Sequence, residues 1–184
     1  YKVWLSEIML QQTTVKAVIP YYEKFVARWP NINSLSLASD QDVMEAWAGL
    51  GYYTRARNLV KCARVIVSQY NSVFPTDEKS LLALPGIGPY TASAIRSIAF
   101  DKKATVIDGN INRFILRFYA ILTPISKSKK IIKSLAEGLT PQNRSGDYAQ
   151  ALMDIGSTIC IAKCPRCQKC PIKAKCLSHK KDIT

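Results

Sequence analysis

Two glycines separated by one residue, Gly86 and Gly88, restrict the fold of this sequence more than any other feature. Pro85 precedes them and Pro89 follows, so one helix is predicted to end at Pro85 and a second to begin at Pro89. Glycine permits positive φ values and leaves backbone N–H groups accessible near a helix N-terminus, an arrangement that binds phosphate. The segment therefore predicts two helices joined by a tight turn, with Ile87 anchored in the core. A Gly-x-Gly turn used for steric reasons alone is the alternative.

Hydrophobic residues recur at helical spacing along nearly the whole chain. Helices are predicted near residues 3–12, 15–28, 40–48, 53–69, 77–84, 90–99, 111–122, 127–139 and 146–158. The only short stretch that suits a strand runs from Ala104 to Ile107. We therefore expect an all-α fold.

The chain is strongly basic, with 26 Lys and Arg against 13 Asp and Glu and a formal net charge of +13. Such a chain is expected to bind a polyanion, nucleic acid first, unless it is merely cationic. Its 48% of hydrophobic residues argues against disorder. No apolar run reaches the roughly 18 residues that span a bilayer, and the start does not resemble a signal peptide. We expect a fragment of an intracellular protein, not secreted and without membrane contact.

Glu7 is an acidic residue on a predicted helix that is otherwise largely apolar. Because Trp4 is one of its neighbours on the helix, the carboxyl is expected to be partly buried. Burial disfavours the charged form and raises the pKa, so the group can act as a general acid near neutral pH. A structural pair with an arginine is the alternative. Gln11, Gln12 and Thr13 follow, with side chains that can read or replace a base by hydrogen bonding.

Asp108 lies where a short apolar stretch passes into a predicted helix. The position suits an N-cap, which is one interpretation. The other is a carboxylate held ionised near a helix N-terminus, where it faces a developing cation. Cleavage of a glycosidic bond passes through an oxocarbenium-like state and uses one protonated acid and one ionised carboxylate. Glu7 and Asp108 are candidates for that pair.

Five of the six cysteines lie between residues 160 and 176. Four of them have the spacing C-x6-C-x2-C-x5-C, namely Cys160, Cys167, Cys170 and Cys176. This spacing suits a closed site of four thiolates, and by chemistry alone both zinc and a [4Fe–4S] cluster fit. Cys164 offers a competing ligand, whereas Cys62 is expected to be a buried apolar thiol.

The hairpin, the segment Ile107-Asp108-Gly109-Asn110 and the terminal cysteines together resemble the helix–hairpin–helix DNA glycosylase superfamily, to which endonuclease III belongs. The resemblance extends over nearly the whole chain. It implies a six-helix-type domain over residues 1–108, with the helix–hairpin–helix at 81–95. A helical iron–sulfur cluster domain over residues 109–184 is implied to follow.

The cysteine spacing matches the [4Fe–4S] loop of that superfamily. The resemblance therefore implies iron rather than zinc and leaves Cys164 outside the set of ligands. Full-length members also carry an N-terminal helix that completes the cluster domain and a C-terminal domain that recognises 8-oxoguanine. We expect both to be absent from this chain.

Two features assign the chain to a branch of the superfamily. Bifunctional relatives of the endonuclease III type have a Schiff-base lysine where this chain has Tyr90, so the resemblance implies an enzyme that releases a base and leaves an abasic site. The second feature is Glu7 within Trp-Leu-Ser-Glu-Ile-Met-Leu-Gln-Gln-Thr. That string is similar to MutY-type adenine glycosylases, as are Gly49-Leu50-Gly51-Tyr52-Tyr53 and Arg55-Ala56-Arg57-Asn58-Leu59.

This resemblance implies a role for each candidate residue. Glu7 would protonate the flipped adenine at N7, and Asp108 would stabilise the oxocarbenium ion. The residues implied to support them are Tyr90 and Asn110. Gln12 and Tyr52 would fill the base stack and probe the opposite base. The full set of candidate DNA-binding residues is Gln11, Gln12, Thr13, Tyr52, Gly86, Gly88 and Thr91.

The resulting prediction is a monofunctional glycosylase that excises adenine mispaired with 8-oxoguanine or guanine in base excision repair. Its partner is double-stranded DNA carrying the mispair, and the protein is expected to be a monomer. It would work in the bacterial cytoplasm at the nucleoid, or in the nucleus or an organelle of a eukaryote. The alternatives are a thymine- or uracil-mismatch glycosylase of the same fold and a non-catalytic DNA-binding module that senses redox state through its cluster.

Overall fold

The computed structural model describes residues 1–183, and within them all regular structure is helical. The chain divides into two compact units, Tyr1–Ile95 and a second unit that begins at Arg96. The helices of the first unit are α1 Lys2–Leu10, α2 Val15–Arg28, α3 Ile32–Ser36, α4 Asp40–Trp47, α5 Thr54–Gln69, α6 Glu78–Leu82 and α7 Pro89–Ala94. The all-α prediction is confirmed.

Over its described residues, up to 183, the second unit contains four α-helices and short turns. Its helices are α8 Gly109–Phe118, α9 Ile125–Leu139, α10 Ser145–Asp154 and α11 Leu177–Lys180. Single 3₁₀ turns lie at Cys167–Lys169 and Lys173–Lys175. The division between the units comes before the boundary expected after residue 108, and the cluster domain expected beyond it stays a prediction.

Short polar side chains cap helices of the first unit. The capping residues are Thr14, Asn31, Ser39 and Asp77. Each accepts a hydrogen bond from a backbone N–H that the helix leaves without an internal partner, which contributes about 1 kcal/mol per cap. The five-residue α3, which the periodicity did not predict, begins at a reciprocal capping box between Asn31 and Ser34.

Helix α5 is central to the first unit and packs against α1, α3 and α4. Its buried face includes Leu59, Ala63 and Ile66, which recur at three- and four-residue spacing. Beside it, the rings of Phe25 and Trp47 meet edge to face with centroids 5.7 Å apart. This packing gives α1 and α5 a rigid support.

Helix α8 has the corresponding place in the second unit, where it packs against α9, α10 and α11. Its buried residues Ile111, Phe114 and Ile115 form one stripe. The buried positions of α9 include Ile132 and Ala136, again four residues apart.

None of the helices within residues 1–183 is long and apolar enough to cross a membrane.

Three segments differ in detail from their sequence patterns. The short stretch from Ala104 to Ile107 that suits a strand forms none, because a lone extended segment has no neighbouring strand with which to pair. The helices expected over residues 90–99 and 146–158 both end in π-helical turns, Ile95–Ala99 and Ile155–Ile159. Turns of this kind are frequent at functional sites.

Candidate functional site

The predicted hairpin lies between α6 and α7. Helix α6 ends before Pro85, earlier than expected, and α7 begins at Pro89. Gly86 has φ +78°, and Ile87 is 6% exposed, so the turn and its apolar anchor are confirmed. Gly88 has φ −95°, which any residue can adopt, so of the two hairpin glycines only Gly86 uses the positive φ that glycine permits.

The two glycines differ in their surroundings as well. An ideal Cβ at Gly86 would lie 2.9 Å from the Cβ of Asn58 on α5, whereas no atom lies within 4 Å of the same position at Gly88. Gly86 is therefore required by the packing of the turn. Gly88 leaves the surface at the start of α7 open to close approach, as a phosphate group needs.

Glu7 lies on the buried side of α1 and is 8% exposed. Its neighbours Trp4 and Ile8 are also buried, so the burial expected for the carboxyl is confirmed. Helix α1 packs against α7, on which Tyr90 is half-buried. The first unit thus holds the acid and the phenol on two helices in contact.

The residues after α1 connect it to the hairpin. Gln11 donates from Nε2 to the Oγ1 of the buried Thr91, 3.3 Å away, and Thr91 is a residue of α7. Gln12 follows with its side chain exposed and φ +57°. Thr13 donates from Oγ1 to the carbonyl of Gln11 at 3.3 Å. We call residues 11–14 the Gln12 loop.

The Gln12 loop lies beside the segment between α4 and α5, residues 48–53, which we call the Tyr52 loop. An open pocket of about 460 Å³ separates them and is lined by Gln11, Gln12, Tyr52, Thr54 and Arg55. The structure therefore brings together three of the predicted DNA-binding residues. Tyr52 is 59% exposed at its edge, which leaves a large aromatic ring available for stacking.

The backbone of the Tyr52 loop is unusual. Gly49, Gly51 and Tyr52 all have positive φ, at +96°, +75° and +49°. The left-handed conformation costs a residue with a side chain about 1–3 kcal/mol and persists only where the surroundings impose it. Tyr21 contributes by donating to the carbonyl of Ala48 at 2.9 Å. The indole N–H of Trp47, on α4, donates to the Gly51 carbonyl at 3.0 Å.

The strongest constraint on both loops is Arg55, a residue to which the sequence analysis assigned no role. Its side chain is 7% exposed, and Nη1 donates to the carbonyls of Ile8, Met9 and Gln11 at 3.2, 2.6 and 2.7 Å. Nη2 donates to the carbonyls of Leu50 and Gly51 at 3.3 and 3.1 Å. Burial lowers the pKa of the guanidinium, which still remains charged at neutral pH.

Asp108 is the N-cap of α8 in the second unit, as one interpretation expected. Its Oδ1 accepts from the backbone N of Ile111 at 2.7 Å, and its Oδ2 accepts from Nδ2 of Asn110 at 3.0 Å. Asn110 in turn accepts at Oδ1 from Nη2 of Arg113 at 2.8 Å. The carboxylate is thereby held in one orientation at a helix N-terminus.

The hydrogen-bond chain continues towards the cysteines. Arg113 donates from Nε to the carbonyl of Cys160 at 2.8 Å and from Nη2 to the carbonyl of Gly156. An ideal Cβ at Gly156 would lie 2.6 Å from the Cβ of Asn110. The π-helical turn therefore passes so close to Asn110 that only glycine fits.

The four spaced cysteines line a single cavity, which also borders Arg117 and His179. Cys164 is exposed and does not line it. Within residues 1–183, no group of three or more His, Cys, Asp or Glu side chains has the arrangement of a metal-ion site. Arg117 lies beside the first cysteine, with Nη1 3.5 Å from the Sγ of Cys160.

Cys62 is fully buried on α5, as expected. Burial raises the pKa of its thiol to about 12, so the thiolate is scarce at neutral pH and the group is inert.

Glu7 and Asp108 belong to different units, and their action as a pair stays a prediction.

A family model described as HhH-GPD superfamily base excision DNA repair protein matches residues 5–142, about three quarters of the chain. The matched region includes the candidate catalytic residues Glu7, Tyr90, Asp108 and Asn110. It ends before the five cysteines that lie between residues 160 and 176.

Curated proteins of similar sequence include the adenine DNA glycosylase of Buchnera aphidicola subsp. Baizongia pistaciae (strain Bp), 45% identical over 179 residues. That of Rattus norvegicus is 41% identical over 184 residues. The alignments cover 97% and 98% of this chain but only 51% and 36% of those proteins. The chain thus spans about half, or less, of the length of these relatives.

Among solved structures, a thermostable thymine-DNA glycosylase is similar with a TM-score of 0.88 and 30% identity, covering 98% of this chain and 84% of that one. A non-covalent endonuclease III–DNA complex is similar with a TM-score of 0.81 over 98% of this chain and 84% of that one. At 22% identity, this second likeness shows the fold alone.

Proposed function

This chain belongs to the HhH-GPD superfamily of base excision DNA repair proteins, and on that premise we propose that it is a monofunctional DNA glycosylase which excises adenine mispaired with 8-oxoguanine or guanine. The observation that carries the proposal is a buried carboxyl, Glu7, on a helix whose end forms a pocket with Tyr52. The adenine DNA glycosylases at 41–45% identity support the choice of base.

Glu7 is the general acid of the proposed reaction. Its carboxyl is buried on α1 beside Trp4 and Ile8, and in the proposed reaction it passes a proton to N7 of the extruded adenine. Protonation makes the departing base neutral. The bond between C1′ and N9 then breaks with both electrons leaving on the base, and water supplies the hydroxyl group at C1′.

Asp108 is the carboxylate that stabilises the positive charge left on the sugar. Its two oxygens already accept hydrogen bonds from Asn110 and from the backbone N–H of Ile111, which fix the direction of the carboxylate. An oriented charge of this kind does not need to reorganise as the oxocarbenium-like state forms. Tyr90 and Asn110 support it. With Tyr90 in place of an amine, no Schiff base forms and the DNA strand stays intact.

DNA binding is proposed to involve two surfaces of the first unit. Gln12 and Tyr52 enter the base stack as the adenine leaves it, an extrusion that costs a few kcal/mol and least at a mispair. Gln11 and Thr13 support the Gln12 loop. The hairpin at Gly86, Gly88 and Thr91 contacts a phosphate through backbone amides and the start of α7. The net charge of +13 makes binding depend on salt.

We also propose a [4Fe–4S] cluster, held by Cys160, Cys167, Cys170 and Cys176. The lining of one cavity by these four thiols, without Cys164, supports this set. A bound cluster would cross-link the cysteine segment and hold its lysines and arginines in one arrangement.

A second candidate function is excision of thymine from a mispair with guanine. The likeness to a thymine-DNA glycosylase at 30% identity, covering 84% of that chain, favours it. The presence of Glu7 argues for adenine, because adenine leaves readily only once it is protonated.

The experiment that separates the two is a single-turnover assay on three duplexes, with 8-oxoguanine:adenine, guanine:adenine and guanine:thymine mispairs. We expect release of adenine from the first two and no release from the third. Release of thymine alone would replace the proposal with its rival. Binding without release from any duplex would favour the non-catalytic module instead.

The protein is proposed to act as a monomer on chromosomal DNA.

A further inference from the structure

We propose that Arg55 is a positioning residue that ties the Gln12 loop and the Tyr52 loop together, so that Gln12 and Tyr52 enter DNA as one wedge of fixed width. The inference deepens the proposed function and rests on it. Arg55 does not itself reach the base stack, because it is buried behind both loops.

The contacts of Arg55 are divided between the two sides of the pocket. Nη1 donates to three carbonyls at the end of α1 and in the Gln12 loop, and Nη2 donates to two carbonyls of the Tyr52 loop, all between 2.6 and 3.3 Å. One planar guanidinium thus spans the base of the pocket. Any change in the separation of the loops would break bonds on one side.

The loops depend on this support because both are held in unfavourable backbone conformations. Gln12 and Tyr52, the two residues proposed to enter DNA, have φ values of +57° and +49°. Residues with side chains keep such conformations only where the surroundings impose them. Arg55 donates to the carbonyls of Gln11 and Gly51, the residues directly before Gln12 and Tyr52, and so holds the backbone next to both in place.

Only arginine has the shape that this position requires. Its donors lie in one plane and point in diverging directions, whereas the three donors of lysine surround a single nitrogen. The guanidinium also lies 5.3 Å from the ring centre of Tyr52 and 5.2 Å from that of Trp47. Arg55 therefore contacts the wedge side chain itself as well as its backbone.

The test compares Arg55→Lys with Arg57→Lys, an exposed position on the same helix. The probe is a duplex in which 2-aminopurine lies next to an adenine mispaired with guanine. The fluorescence of 2-aminopurine rises when the base stack opens. We expect Arg55→Lys to lower the opening equilibrium about tenfold, since several hydrogen bonds of ordinary strength are lost. Affinity for a fully paired duplex should change less than about twofold, because phosphate contacts dominate it. Arg57→Lys should match the wild type.

A double-mutant cycle with Tyr52→Ala distinguishes positioning from general destabilisation. If Arg55 acts through the wedge, Arg55→Lys has little further effect on opening once Tyr52 is truncated. Equal effects in both backgrounds, or normal opening by folded Arg55→Lys, would overturn the proposal.

If Arg55→Lys does not fold, Tyr21→Phe removes a different donor to the Tyr52 loop. Opening reduced by this variant supports the wedge, and unchanged opening contradicts it. Adenine release by the wild type is measured in parallel. If the wild type releases no adenine, the proposed function is contradicted. The fluorescence signal does not require base release, so it tests the wedge separately.

Discussion

Glu7 combines two properties that are rarely found together, a carboxyl group and burial on an apolar helix face. The same position would suit a leucine if packing were the only requirement. Its burial therefore needs a chemical explanation, and proton donation to a leaving base provides one. The environment of Asp108 is different, because both of its carboxylate oxygens accept hydrogen bonds at the start of α8.

Replacing Glu7 with glutamine should abolish most base release while leaving DNA binding intact. The amide has almost the same shape but no acidic proton, so the rate of adenine release should fall by about 10²–10⁴-fold. Glu23→Gln, at an exposed position of α2, is the matched control and should retain the wild-type rate. Single-turnover kinetics and a binding titration measure the two quantities. A Glu7→Gln enzyme with more than about a tenth of the rate would exclude the acid role.

The cysteines provide a second test of single residues. Cys167 lines the shared cavity and Cys164 does not. We therefore expect Cys167→Ser to lose most of the iron absorbance at about 400 nm, whereas Cys164→Ser should retain it. Iron content per chain checks the same point independently. If Cys164→Ser loses iron and Cys167→Ser retains it, the ligand set is different from the one proposed.

At the scale of elements, helix ends and turns position the functional groups more than helix interiors do. Glu7 lies near the end of α1, Asp108 caps α8, and the hairpin opens α7. Helix ends offer free N–H groups and a partial charge, whereas helix interiors satisfy their own backbone. The π-helical turn at Ile155–Ile159 adds a close backbone approach to Asn110.

The hairpin glycines should have separable effects. Gly86→Ala places a Cβ 2.9 Å from Asn58 at a positive φ, so it should lower the free energy of unfolding by about 1–3 kcal/mol. Gly88→Ala meets no atom within 4 Å. It should leave stability within about 0.5 kcal/mol but weaken DNA binding if a phosphate packs there. Denaturant unfolding and a salt-dependent titration measure both effects. Normal DNA affinity in Gly88→Ala would argue against a phosphate at the hairpin.

Gly156→Ala tests the support of Asn110 by the π-helical turn. Its Cβ would lie 2.6 Å from the Cβ of Asn110, and the resulting shift should cost about 1–3 kcal/mol of stability. Adenine release should slow as well, because Asn110 would no longer orient Asp108. Gly138→Ala within α9 is the control, since it meets no atom within 4 Å and should stabilise by about 0.5–1 kcal/mol. Normal stability and rate in Gly156→Ala would refute the steric argument.

At the scale of the whole molecule, the sequence was sufficient to predict a structural feature wherever one physical rule dominated. Helical periodicity predicted the all-α fold, the glycines predicted the hairpin turn, and apolar neighbours predicted the burial of Glu7 and Cys62. The stretch Ala104–Ile107, whose pattern suits a strand, forms none, because strand formation depends on a distant partner.

Other features depend on contacts that a linear pattern does not show. The left-handed conformations of Gln12 and Tyr52 are imposed by their surroundings, in part by Arg55. Arg55 itself reads as an ordinary surface residue, because arginine is rarely buried. Three of its carbonyl acceptors lie 44–47 residues earlier in the chain and two lie in the preceding loop, and only the folded chain brings them together.

The most direct test of the central claim is to incubate the protein with a duplex carrying one adenine opposite 8-oxoguanine and to quantify free adenine and strand cleavage together. The proposed mechanism predicts one adenine released per duplex, with a strand that stays intact until alkali cleaves it at the abasic site. Release of no base from this 8-oxoguanine:adenine duplex, or release of a base other than adenine, would contradict it. So would a strand break that forms without alkali.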